Sequence, residues 1–213
     1  MKESFLEIYK EYIKRPGADK LLEWLENSDF FTAPASTRFH LCRPGGLLEH
    51  SIHVYERLRE LYLNELDIGD GPHELNEREE ETIAICGLLH DICKVDVYKQ
   101  EYKNQKTYDA EKVKNAQKWE VKKDANGSFI WESVVGYKYE DSLPYGHGEK
   151  SVYIISGFMK LSREEAMAIR WHMGFSGEDD NRNVGNAFGL HKMAVLTHIA
   201  DMMATYLDEQ EEH

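Results

Sequence analysis

The chain has 213 residues, 41% of them hydrophobic, which is enough for one well-packed domain, residues 1–213, with a small excursion. Its 39 acidic side chains outnumber 26 basic ones, and the net charge of −13 disfavours a non-specific nucleic-acid coat while leaving room for a local basic groove. The 3 cysteines, Cys42, Cys86 and Cys93, show no CxxC spacing, which argues against a disulfide framework or zinc knuckle and fits a reducing cytosol.

Met1-Lys2-Glu3-Ser4-Phe5-Leu6-Glu7 starts an amphipathic helix rather than a signal peptide. No apolar run approaches the ~18 residues of a membrane span, so a cytoplasmic protein without membrane contact is expected. Phe5, Leu6, Tyr9, Tyr12 and Ile13, then Leu21, Leu22, Trp24 and Leu25, predict helices over 3–14 and 17–27, parted by Pro16-Gly17. Residues 28–46 read as a loop that carries Arg38, His40 and Arg43. A helix over 47–63 follows, with Leu47, His50 (or Ser51), Val54, Leu58 and Leu61 on one stripe. His50 therefore faces the core.

A polar loop is expected over 64–75. Asn76 and Glu79 have the spacing of an N-cap pair, and Glu77, Glu79, Glu80 and Glu81 suit a helix's first turn. That helix becomes apolar through Ile83, Ile85, Leu88 and Leu89 and ends at His90-Asp91. Residues 98–145 differ in character, being lysine-rich early on. Asn126-Gly127 predicts a two-stranded hairpin at about 117–123 and 128–138 within this insertion. His147 opens a helix over 148–160. Ser162 and Glu165 have capping-box spacing and begin a helix that ends at His172-Met173-Gly174. Residues 175–188 read as a Gly- and Asn-rich loop, and a last helix over 189–208 places Asp201 among apolar neighbours.

The stretch Gly87-Leu88-Leu89-His90-Asp91-Ile92-Cys93-Lys94 organises the rest. An unpaired carboxylate is costly in an apolar setting, and a metal ion removes that cost because it takes a neutral imidazole beside an ionised carboxylate. A hydrogen-bonded His-Asp couple at a capped helix end would satisfy the same residues without metal.

His50, His90-Asp91 and Asp201, in the settings Gly-Gly-Leu-Leu-Glu-His50-Ser, Gly-Leu-Leu-His90-Asp91-Ile-Cys-Lys94 and His198-Ile-Ala-Asp201, resemble the H…HD…D pattern of the HD-domain superfamily of metal-dependent phosphohydrolases. The resemblance covers roughly residues 29–208 apart from the insertion. It is nearest to the HD domain of YhaM-type 3′→5′ exoribonucleases and to small phage-like HD proteins. The chain differs from the exoribonuclease pattern in its insertion and in having no evident OB-fold ahead of the HD region.

The fold that the resemblance implies is all-α, an HD-domain helical bundle with a β-hairpin-containing insertion. In two-metal relatives further histidines come from helices between the HD pair and the last aspartate, and His147 and His172 occupy those places. The implied metal ligands are then His50, His90, Asp91, His147, His172 and Asp201: His50, His90 and Asp201 would hold one ion, His147 with His172 the other, and Asp91 would bridge the two. Imidazole and carboxylate donors suit a divalent Mn, Fe, Ni, Co or Zn. Two ions about 3.5–4 Å apart would polarise the phosphoryl group and activate a hydroxide. Asp91 and Lys94 are the implied catalytic residues, and Lys94, Arg43, His40 and Arg38 the implied phosphate contacts. His53, His191 and His198 are expected to be structural, His198 beside Asp201.

The implied reaction is hydrolysis of a phosphoric ester in a nucleotide, a cyclic nucleotide or a short oligonucleotide. Two alternatives stay open. One is a one-metal nucleotidase using His50, His90, Asp91 and Asp201, with His147 and His172 lining the pocket. The other is a non-catalytic metal-containing binding module that uses the insertion as its interface.

Overall fold

Apolar residues at helical spacing build the frame. α1 (Lys2–Tyr12) buries Phe5 and Tyr9, and α2 (Ala18–Asn27) buries Leu21, Leu22 and Leu25. α3 (Gly46–Asp70) packs against α4 (Glu77–Leu89), α6 (His147–Ser156) packs on α7 (Arg163–Trp171), and α9 (Lys192–Met203) packs on both α3 and α7. The computed structural model describes residues 1–37, 41–70, 74–176 and 181–210. Among them, Phe5, Leu25, Phe30, Leu58, Ile85, Leu88, Ile155 and Ile169 are wholly buried in one core. Each such side chain contributes about 1.5–3 kcal/mol relative to exposure.

Local signals place the helix starts. Asn76 caps α4 as one half of a reciprocal box with Glu79, and Ser162 caps α7 with Glu165 in the same way. Arg15, in the turn between α1 and α2, ties these elements together. Its guanidinium bonds Glu165 at 2.7 and 2.8 Å and Glu81 at 2.9 Å.

Three expectations need correction. The segment 64–75 is not all loop, because α3 continues to Asp70. Within 175–188 lies α8 (Asn181–Leu190), which buries Val184 and Ala187 against α7 and α9. Tertiary packing there overrides the low helix propensity of its glycines and asparagines. The last helix does not run unbroken over 189–208: α9 starts at Lys192, and a π-helical turn spans Ala204–Asp208.

The insertion holds the expected hairpin, its first strand confined to 122–124, as part of a three-stranded antiparallel sheet. β1 (Tyr98–Thr107) and β2 (Lys122–Asp124) flank β3 (Gly127–Tyr139) in the order β1-β3-β2, with the short α5 (Ala110–Asn115) between β1 and β2. The Asn126-Gly127 turn joins β2 to β3, but the long ladder is β1 with β3, from Tyr98 opposite Tyr139 to Thr107 opposite Ile130. No helix among the described residues is long and apolar enough to cross a membrane.

Candidate metal centre

Helix ends deliver the site. His90 caps the C-terminus of α4, Asp91 follows it, and a 3-10 turn over Ile92–Lys94 brings Lys94 back over Asp91. His50 lies in the first turns of α3, His147 opens α6, His172 caps the C-terminus of α7, and Asp201 sits near the end of α9.

Two glycines let these helices close on one another. A Cβ on Gly87 would stand 2.5 Å from the Tyr55 Cα, so only glycine allows α4 to lie this close to α3. A Cβ on Gly148 would strike the carbonyl oxygens of Ile169 and Arg170, so α6 meets α7 on the same terms. The first contact brings His90 to His50, and the second brings His147 to His172.

The donor atoms converge. The His50 Nε2 lies 3.2 Å from Asp201 Oδ1, 3.3 Å from His90 Nε2 and 3.6 Å from Asp91 Oδ2. On the other side of Asp91, the His147 Nε2 is 2.6 Å and the His172 Nε2 3.4 Å from Oδ1. The Lys94 Nζ sits 2.5 Å from Asp91 Oδ2. His50, His90, Asp91 and His172 are buried, while His147 is one-third exposed.

Hydrogen bonds set the tautomers. The His90 Nδ1–H donates to the Gly87 carbonyl at 2.9 Å, and the His172 Nδ1–H donates to the Ile169 carbonyl at 2.7 Å. The His50 Nδ1–H donates to the carboxylate of Glu209 at 3.0 Å. His90 and His172 therefore turn an Nε2 lone pair inward, as a metal ligand must, and His50 presents its Nε2 to the same space.

The residues fit a divalent cation. Buried His172 Nε2 has no hydrogen-bond partner, an orphaned acceptor aimed at the cluster. Three groups of donors lie close enough together to hold an ion: His50 with His90 and Asp201, His90 with Asp91 and His172, and Asp91 with Cys93 and His147. The first contains three of the expected ligands of one ion. His147 and His172 fall in separate groups, joined through Asp91 rather than sharing one. Cys93 is an unexpected neighbour, and burial and the nearby Asp91 push its thiol up to about 12.

The electrostatics agree. Burial pushes His90 down to about 3 and keeps it neutral. Burial raises the Asp91 carboxyl, but the Lys94 ammonium and the hydrogen bond from His147 outweigh it and hold Asp91 well below the usual carboxylate range. Burial alone would depress His50, yet Asp201 and Glu209 lift it to about 9. The carboxylates thus hold a positive charge where a cation would otherwise stand.

A cavity of about 950 Å³ opens onto this cluster, lined by His50, Asp91, Lys94, His147 and Asp201. Arg43 also lines it but is half exposed and paired with Glu49 at 2.6 Å. Arg38 and His40 lie outside the described residues. His198 donates from Nδ1 to the His172 carbonyl at 2.7 Å, and His191 pairs with Glu164, away from the cluster.

One participant escaped the sequence reading. Glu209 looked like part of the acidic tail, yet it is buried and holds both His50 and His53, each at 3.0 Å. The available signal was its place eight residues beyond Asp201, about two helical turns along the same face.

A family model described as HD domain matches residues 47–205. No curated protein and no solved structure matches the chain.

Proposed function

The chain belongs to the HD-domain family, whose members are generally metal-dependent hydrolases, and on that premise we propose that it cleaves a phosphoric ester of a nucleotide, cyclic nucleotide or short oligonucleotide. The observation that carries this reading is the orphaned Nε2 of His172, buried among three further imidazoles and two aspartates beside a cationic Lys94. Such donors would hold one or two divalent transition-metal ions, of the Mn, Fe, Ni, Co or Zn type. A bound ion supplies Lewis acidity toward the phosphoryl oxygen and lowers the pKa of water.

The chain's own residues do the rest. His50, His90, Asp91 and Asp201 would form one ligand set, and Asp91 with His147 and His172 the other. Lys94, backed by Asp91 and facing the cavity, would hold the substrate's phosphate charge. Burial of the ligands excludes competing water, which strengthens each electrostatic contact. Residues 1–213 are read as one such domain.

A panel of nucleotides, cyclic dinucleotides and short RNA or DNA, assayed with Mn²⁺ and with Asp91→Ala as blank, tests the reading. Turnover that Asp91→Ala abolishes supports it, and no turnover with any divalent metal refutes it. A one-metal variant of the same reading is favoured by the exposure of His147, which lines the cavity. One metal equivalent retained both in wild type and in His147→Ala/His172→Ala would establish that version.

A further inference from the structure

The inserted sheet does not stand apart from the site. Its root is the Tyr98–Tyr139 rung, the last of the β1–β3 ladder, and both tyrosines line the cavity that holds Asp91 and Lys94. Their rings meet edge to face, with centroids 5.9 Å apart. Tyr98 lies four residues beyond Lys94, and its hydroxyl feels the charges of Lys94 and Asp91.

Tyr139 is 54% exposed, unusual for an aromatic side chain held as firmly as this one. Its hydroxyl donates to Asp141 Oδ2 at 2.9 Å. Asp141 Oδ1 in turn accepts from the buried ammonium of Lys150 at 2.6 Å and from the Leu143 amide at 2.9 Å. Lys150 belongs to α6, three residues after His147. The ring is therefore anchored to the helix that carries a candidate ligand. An aromatic surface ordered in advance loses little entropy when a flat partner lies on it.

Met202 and Tyr206, both exposed, line the same cavity from the C-terminal helix. The space, about 950 Å³, is at the upper end for small-ligand pockets and far exceeds what a phosphate group fills. One end of the cavity thus carries Lys94 and the candidate metal ligands, while Tyr98, Tyr139, Tyr206, Met173 and Met202 stand among the polar residues of its other walls.

We propose that Tyr98 and Tyr139, at the root of the insertion, form a specificity wall, and that the ester bound here carries a planar nucleobase stacked on that wall. The proposal rests on the phosphohydrolase reading above and assigns the residues that hold the base of its substrates. Stacking on an aromatic side chain tolerates any base, because every base has a π-face, so the wall selects for a base without selecting which one.

The test measures equilibrium binding to the metal-loaded protein by calorimetry, alongside turnover. The probes are the four 5′-nucleoside monophosphates, 3′,5′-cyclic AMP and ribose 5-phosphate. The expected result is that at least one base-bearing probe binds about 5- to 150-fold tighter than ribose 5-phosphate, the range that loss of one stacking contact spans. Tyr139→Ala collapses that ratio, and Tyr139→Phe keeps most of it. Tyr139→Leu, which preserves apolar bulk if the alanine variant folds poorly, also collapses it. Equal binding of all probes, no measurable binding of any, or discrimination untouched by Tyr139→Ala or Tyr139→Leu overturns the proposal. Base-dependent binding without hydrolysis sinks the hydrolase reading and leaves the wall standing. Equal hydrolysis of every probe does the reverse.

Discussion

The Glu209 carboxylate lies 3.0 Å from the His50 Nδ1, across the ring from the Nε2 that faces Asp201. A carboxylate in that position orients the imidazole and makes it a stronger electron donor. Glu209→Ala is expected to weaken metal affinity about 10–100-fold, with Glu209→Gln intermediate because its amide oxygen still accepts one bond. Competition against a chromogenic chelator measures this directly. An unchanged affinity in Glu209→Ala would show that Glu209 serves the fold alone.

Metal should act as a stabilising ligand. At free Mn²⁺ one hundred times its Kd, the unfolding free energy should rise by about 2.7 kcal/mol. Thermal melts with and without metal, reversed by EDTA, provide the readout. In Asp91→Ala the increment should vanish, since Asp91 reaches both halves of the donor cluster.

Gly87→Ala places a methyl group against the Tyr55 backbone. Overpacking of this kind costs about 1–3 kcal/mol. The strain must also part α3 from α4, and so separate His50 from His90. Denaturant titration should show the lost stability, and metal titration a weaker site. A variant that loses stability with unchanged affinity would mean the strain is absorbed elsewhere.

The Arg15–Glu165 pair predicts an acid-sensitive fold. Burial raises the Glu165 carboxyl, but the Arg15 hydrogen bonds, the Ser162 amide and Thr82 more than offset this, so its folded pKa lies below the ordinary value. The stabilisation is therefore complete above the unfolded pKa of about 4.3 and disappears as pH falls through the folded value. Urea midpoints in wild type should drop below about pH 4.3, and Glu165→Gln should flatten that limb. At neutral pH, Arg15→Ala leaves a buried carboxylate unpaired and should cost about 3–5 kcal/mol.

Sequence legibility followed the range of the interactions. The caps at Asn76 and Ser162 were readable because each motif closes within four residues. His50, His90, Asp91 and Asp201 were readable because each sits in a short distinctive setting, and the structure brings their donor atoms together. β1 was not readable: Tyr98–Thr107 is rich in Lys, Gln and Asn, and its partner lies some thirty residues away. α8 was hidden by its glycines and asparagines, and only its packing on α7 and α9 explains it. Glu209 was hidden for a third reason. Its meaning depends on a histidine 159 positions earlier in the chain.

The strand order β1-β3-β2 leaves one long side of β1 without a neighbour in the sheet. Ten residues of open backbone form a template on which a foreign strand could grow, the usual route to fibrils. Lys99, Lys103 and Lys106 punctuate this border, Lys103 paired with Glu101 and Lys106 with Asp124, and a second copy added in parallel register would set each lysine beside its own counterpart. A lysine-bearing edge of this kind opposes such pairing, whatever further work the insertion does. Exchanging the three lysines for threonine would keep strand propensity and remove that opposition, so the altered chain should aggregate at a lower concentration than the natural one.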